Sequence, residues 1–85
     1  MTSPQALDEQ IRSVLAAHGR LNKPVADLSA DADLYQAGLT SHASVNVMLA
    51  LEGQFDLEFP DNMLNRSVFA SVTAIRSALL ELGVA

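Results

Sequence analysis

The stretch Ala37-Gly38-Leu39-Thr40-Ser41-His42-Ala43-Ser44-Val45 decides how this chain folds. A glycine turn ends there and a helix begins. The helix runs through Val47, Met48, Leu51 and Phe55 and stops before Asp56-Leu57-Glu58-Phe59-Pro60. Ser41 falls at or beside its first residue. The first backbone N–H groups of a helix lack partners within it, and the positive end of the helix dipole lies there. A hydroxyl at that position, just after a Gly-x-x turn, is well placed to carry a phosphate. Serine is also a common N-cap, and Ser41 taken alone would serve as one. Thr40 can take the capping role and leave the Ser41 hydroxyl exposed. Ser41 and His42 do not form a nucleophile–base pair, because adjacent helical residues point about 100° apart. With no third group placed by the sequence, hydrolase catalysis is rejected.

On the same helical wheel Ser44, Met48, Leu51 and Phe55 share one face, assigned to the core. Val45 and Leu49 fall nearly opposite, beside His42 and Gly53. A helix in a small bundle needs only one apolar stripe. The second pair is either a scatter of exposed apolar residues, which is common, or a docking surface next to Ser41. Gly53 costs about 1 kcal/mol relative to alanine inside a helix, either for close approach by a partner or simply as a tolerated residue.

Upstream, Ser3-Pro4 reads as a helix start, followed by Leu7, Ile11, Val14 and Leu15 at helical spacing. This first helix is expected from about Pro4 to His18, with Gly19 as its C-terminal cap and His18 near the negative end of the dipole. A long connection follows, from Arg20 to Gln36. Lys23-Pro24, Asp27, Ser29, Asp31 and Asp33 break its pattern, while Val25, Leu28, Leu34 and Tyr35 can pin it to the core. A calcium loop starting at Asp31 is rejected, since it needs glycine where Gln36 stands and glutamate where His42 stands. Downstream, Asp61-Asn62 are expected to cap a short third helix over Met63 and Leu64, with Phe69 packing inward. Ser71 should cap a last helix whose core stripe is Val72, Ile75, Leu79 and Leu82, ending at Gly83.

The expected architecture is one all-α domain spanning residues 1–85, with four helices and a long first connection. The chain has 85 residues, 49% of them hydrophobic, which suffices for one packed core. It has no cysteine, so any thioester chemistry needs a sulfur from an added group. A net charge of −5 argues against binding nucleic acid through phosphate neutralisation. No apolar run reaches membrane-spanning length and the start does not read as a signal peptide, so a cytoplasmic location with no membrane partner is expected; the chain is also expected to be a monomer.

Gly38-x-x-Ser41 before an apolar helix, then Leu51-Glu52-x-x-Phe55-x-x-x-Phe59-Pro60-Asp61 and a final amphipathic helix, resembles the acyl and peptidyl carrier protein family. The resemblance implies an acyl-carrier-like four-helix bundle. It also implies that a separate phosphopantetheinyl transferase, using its own Mg²⁺, moves 4′-phosphopantetheine from coenzyme A to Ser41. Cargo is then held as a thioester on the thiol of that arm, and the chain is a substrate and shuttle rather than an enzyme. The family docks its enzymes with this helix, which favours His42, Val45 and Leu49 as a docking surface. Thr40 and His42 stand where the family usually has aspartate and leucine, and Asn46 and Gln54 occupy sites that are often charged. Glu52 is the helix's single acid. A narrower resemblance accounts for these departures. Gly38-Leu39-Thr40-Ser41-x-Ala43-Ser44-Val45, Phe59-Pro60-Asp61-Asn62-x-Leu64-Asn65-Arg66 and Ser67-x-Phe69-Ala70-Ser71-Val72 are similar to small stand-alone bacterial carriers. Those carriers are charged by truncated amino acid:carrier-protein ligases resembling seryl-tRNA synthetase, with an amino acid such as glycine or alanine. A fatty-acid or polyketide carrier and a helical adaptor without a prosthetic group are the alternatives.

Overall fold

In the computed structural model, which describes residues 4–84, the first helix α1 spans Pro4–His18. Leu7, Ile11, Val14 and Leu15 are its buried stripe, as their spacing predicts. The expected cap at Ser3 lies outside the described residues. Gly19 follows the helix, but the left-handed residue is Arg20, at φ 53°. Gly19 answers a different need. A Cβ there would stand 2.7 Å from the Leu15 carbonyl oxygen, which accepts the Gly19 N–H at 2.8 Å.

Two more α-helices complete the frame, α2 (Ser41–Phe55) and α3 (Val72–Glu81). The Ser71 hydroxyl caps α3 by accepting the Ala74 N–H at 3.0 Å, and Gly83 turns the chain at φ 97°. Helix α1 packs on both other helices. Its stripe meets Ala43, Val47 and Leu51 from α2 and Val72, Ile75, Ala78 and Leu79 from α3 in one continuous core. On the polar side, Arg76 Nη1 donates to both Asp8 carboxylate oxygens at 2.8 and 2.9 Å, tying α3 to α1.

The core face of α2 differs from the expected one. The fully buried residues are Ala43, Val47 and Leu51, whereas Ser44, Met48 and Phe55 are half-buried. The face is rotated by roughly 70° on a wheel of about 100° per residue. Apolar side chains occupy nearly every side of α2, so periodicity alone does not select among them. Contact with α1 selects Ala43 and Val47. Gly53 is exposed, and a Cβ there would meet nothing within 4 Å, so the fold itself does not require glycine.

The third helix is also corrected. Instead of an α-helix over Met63 and Leu64, two short 3-10 turns occupy Asp61–Met63 and Arg66–Phe69. Leu64 leaves helical geometry at φ −89°, ψ 63°, and Asn65 is extended. The Asn65 side chain accepts the Val68 N–H at 3.2 Å, so it starts a new turn rather than continuing the first. Pro60 precedes the first turn, and no side chain caps it, contrary to the role expected for Asp61-Asn62. Phe69 is buried and meets Phe59 edge-on, with ring centroids 5.4 Å apart.

The connection from Gly19 to Thr40 is pinned along its length. Val25 and Leu34 are buried as expected, and Ala37 and Leu39 join them. Arg12 on α1 donates to the carbonyls of Val25 and Leu28, both at 2.8 Å. Leu34 N–H donates to Ala70 O at 2.8 Å, and Thr73 N–H to Ala30 O at 3.0 Å.

Leu79 is 0% exposed at the centre of the α3 stripe. Leu79→Ala should destabilise the protein by roughly 2–5 kcal/mol, the range for truncating a buried leucine. A domain of this length holds about 4–13 kcal/mol, so the variant should be marginal. Chemical denaturation checks this, and an unchanged midpoint would contradict the packing of α3.

Candidate functional site

The turn into α2 is built by Gly38, at φ 109°. The Asn22 N–H donates to Ala37 O at 2.8 Å, and a Cβ on Gly38 would lie 3.1 Å from that same Asn22 nitrogen. Both the positive φ and the close approach require glycine. The chain then buries Leu39 and reaches Thr40, whose Oγ1 accepts the Ala43 N–H at 3.0 Å. Thr40 is therefore the N-cap. Ser41 is the first helical residue, exposed, and its hydroxyl has no hydrogen-bond partner among the described residues. Its carbonyl accepts the Ser44 hydroxyl at 2.7 Å, but its own Oγ stays free.

Beside Ser41 lies an apolar pocket of about 350 Å³. Ser44, Val45 and Met48 form its α2 wall, and Leu64, Asn65, Arg66 and Phe69 face them from the segment after Pro60. Tyr35, from the long connection, completes the lining. The α2 residues that were expected in the core, Ser44 and Met48, are thus the wall of this pocket.

The expected docking residues are all exposed on α2 but do not border the same depression. Val45 is 49% exposed and lines the pocket with Ser41. Leu49 is 54% exposed but borders a separate depression between α1 and α2, with His18 and Gln54. His42 is exposed and lines neither. Leu64, 46% exposed, adds an apolar residue on the far rim that the sequence reading did not single out as surface. Tyr35 and Arg66 were missed as site residues. Arg66 belongs to the Phe59–Arg66 motif, and the expected role of Tyr35 is only to pin the loop. Nothing in their separation, 31 residues, signals that they meet.

They meet closely. The Tyr35 hydroxyl donates to the Arg66 carbonyl at 3.0 Å, and the Arg66 guanidinium carbon lies 3.8 Å from the Tyr35 ring centroid. Burial pushes the Tyr35 phenol above its ordinary value of 10.0; the Arg66 charge opposes that rise and Asp33 adds to it. A raised folded-state value means that this group's contribution to stability is complete below pH 10.0 and is lost as pH rises through the folded value. Tyr35 is the single tyrosine and there is no tryptophan, so phenolate absorbance reports it alone. Its midpoint should lie above 10.0, and Arg66→Gln, which removes the charge favouring phenolate, should raise it further. Spectrophotometric titration of both proteins checks this, and a lower midpoint in the variant would contradict the stacking.

Residues 9–75 match the family described as phosphopantetheine attachment site. The chain is 51% identical over 73 residues to the aminoacyl carrier protein of Agrobacterium fabrum, covering 86% of this chain and 88% of that one. It superposes with a TM-score of 0.84 on the carrier from Agrobacterium tumefaciens, crystallised with an engineered Bradyrhizobium japonicum glycine:carrier protein ligase and AMP. That pair is 51% identical, covering 86% of this chain and 97% of the other. A second structure, the Bradyrhizobium japonicum ligase complexed with glycylated carrier protein, gives a TM-score of 0.72 at 30% identity, covering 85% and 96%. With its Gly38 turn, three α-helices and matched signature, the chain belongs to the phosphopantetheine-bearing carrier proteins, among the aminoacyl carrier proteins.

Proposed function

We propose that Ser41 is the attachment residue for 4′-phosphopantetheine and that the loaded chain carries an amino acid, glycine by similarity to the glycylated relative. The observation that carries this reading is the division of roles between Thr40 and Ser41. Thr40 satisfies the cap, so the Ser41 hydroxyl is free for modification without costing the helix its cap. The residues present fit the group. The N–H groups of Ser41 and His42 begin the helix, where an anion is favoured, and no carboxylate lines the adjoining pocket. Ser41 would hold the phosphate through Oγ, and Val45, Met48 and Leu64 would offer apolar surface to the start of the arm. The arm supplies the thiol that the chain lacks, and cargo is held on it as a thioester. The chain itself holds no catalytic constellation in this reading. A transferase and an amino acid:carrier-protein ligase act on it, in the cytoplasm, where coenzyme A and ATP are at hand.

Incubation with coenzyme A and a broad-specificity phosphopantetheinyl transferase should add the mass of one arm, and Ser41→Ala should fold and gain none. The modified protein should then accept glycine from a purified glycine:carrier protein ligase with ATP. A modified Ser41→Ala protein would overturn the assignment, and acceptance of an acyl chain in place of an amino acid would shift the reading to a fatty-acid or polyketide carrier.

The ligase is proposed to dock on the exposed side of α2. Val45 and Leu49 are about half-exposed there, opposite the buried Ala43 and Val47, with His42 at the rim. Residues 41–51 contain no acid, so burial rather than long-range attraction should drive docking. Val45→Ala with Leu49→Ala should leave melting nearly unchanged and weaken loading, by about 2 kcal/mol if either is an anchor. Loading kinetics at low and moderate salt check this. Normal loading in the double variant, or a steep loss with salt in the parent, would move docking to the acids between Asp27 and Asp33.

A further inference from the structure

Arg66 is the one charged residue among those lining the pocket beside Ser41, and its sign is opposite to that of a phosphodiester. The chain has five basic residues outside its histidines. Arg12 is committed to two loop carbonyls and Arg76 to Asp8. Arg66, by contrast, pairs with no carboxylate among the described residues, and its guanidinium donates no hydrogen bond there. Asp33, the acid whose charge acts on Tyr35, accepts the Tyr35 N–H at 2.9 Å and forms no ion pair with Arg66.

Arg66 is nevertheless held in place at both ends. Its backbone carbonyl takes the Tyr35 hydroxyl, and its guanidinium rests over the Tyr35 ring. A cation on an aromatic face keeps its N–H donors available, and a guanidinium matches two oxygens of one phosphate in a bidentate fork. Resting on the proposal that Ser41 carries the arm, we infer that Arg66 is the counter-ion of the phosphodiester on Ser41, with Tyr35 as the platform that holds it at the pocket rim. Arg66 is thereby a positioning residue: it ties the start of the arm to the Leu64 side of the pocket and limits the directions in which the arm leaves α2.

The test uses the full chain before and after enzymatic attachment of phosphopantetheine, with attachment verified by intact mass, at low ionic strength because an exposed pair is screened by salt. Arginine side-chain ¹⁵N spectra give the hydrogen-exchange rate of Arg66 Nε–H, and ³¹P spectra give the mobility of the phosphodiester. Attachment should slow Arg66 Nε–H exchange about two- to fivefold, the factor an exposed ion pair permits. The ³¹P line should narrow in Arg66→Gln, as the phosphate is released, and should narrow less in Arg66→Lys, which keeps the charge but loses the fork. Arg66 is exposed, so both variants should fold; if either does not, the apo-to-modified comparison in the parent decides alone. Equal Arg66 exchange before and after attachment, or a ³¹P line indifferent to Arg66→Gln, overturns the inference. Unchanged spectra combined with weaker ligase binding by Arg66→Gln also overturn it, assigning Arg66 to the partner. Absence of an added mass, or an arm on another residue, overturns the Ser41 reading instead.

Discussion

Leu34 is the residue on which the arrangement depends. Helix α1 can cover α2 and α3, but three short helices leave their shared core open on one side, and exposed apolar surface there would cost the chain its stability. The connection from Gly19 to Thr40 closes it. Leu34 is fully buried, and its N–H is satisfied by the Ala70 carbonyl, so the plug carries no unpaired backbone donor into the core. Arg12 fastens the earlier part of the same connection by capturing two carbonyls. A segment whose polar residues read as loop is therefore a structural wall, and its far end delivers Gly38, Leu39 and Thr40 to the start of α2 in one conformation.

The delivery assigns capping to Thr40 and leaves the Ser41 hydroxyl out of it. A hydroxyl spent on capping has its lone pair directed at a backbone N–H, and modifying it would remove the cap. Thr40 makes that bond, at 3.0 Å, and the exposed Ser41 hydroxyl has no partner among the described residues. Thr40 caps α2 without adding a charge. The surroundings follow the same sign: no acid occurs from Ser41 to Leu51, and Arg66 is the charged residue in the adjoining pocket. Glu52, the one acid of α2, is engaged in structure. Its carboxylate accepts the Phe59 N–H at 2.9 Å and holds the link between α2 and the 3-10 turns.

Much of this was legible beforehand, because it rests on local chemistry. The spans Pro4–His18 and Ser41–Phe55, the caps at Thr40 and Ser71, and the apolar points Val25, Leu34 and Phe69 all follow from residues near one another in the chain. Proline, glycine and a capping hydroxyl act over a few residues, whatever the rest of the protein does. The burial of Leu7, Ile11, Val14 and Leu15 was legible for a related reason: α1 has one clear apolar stripe, and only one side of it could face inward.

Where local chemistry was ambiguous, tertiary structure decided. Helix α2 is apolar on nearly all sides, so its inward face was set by contact with α1, which chose Ala43 and Val47 and turned Ser44 and Met48 toward the pocket. The segment after Pro60 had the composition of a short helix, but the Asn65 side chain accepts the Val68 N–H and splits it into two turns. The pocket beside Ser41 needs Tyr35 and Arg66 together, and their contact spans 31 residues. Adjacent residues alone were enough for the spans of α1 and α2 and for a serine at or beside the start of α2, because capping is a matter of neighbours. Only the tertiary structure decided what surrounds that hydroxyl, because cross-chain contacts depend on how α1 and the long connection pack, and no period in the sequence encodes them.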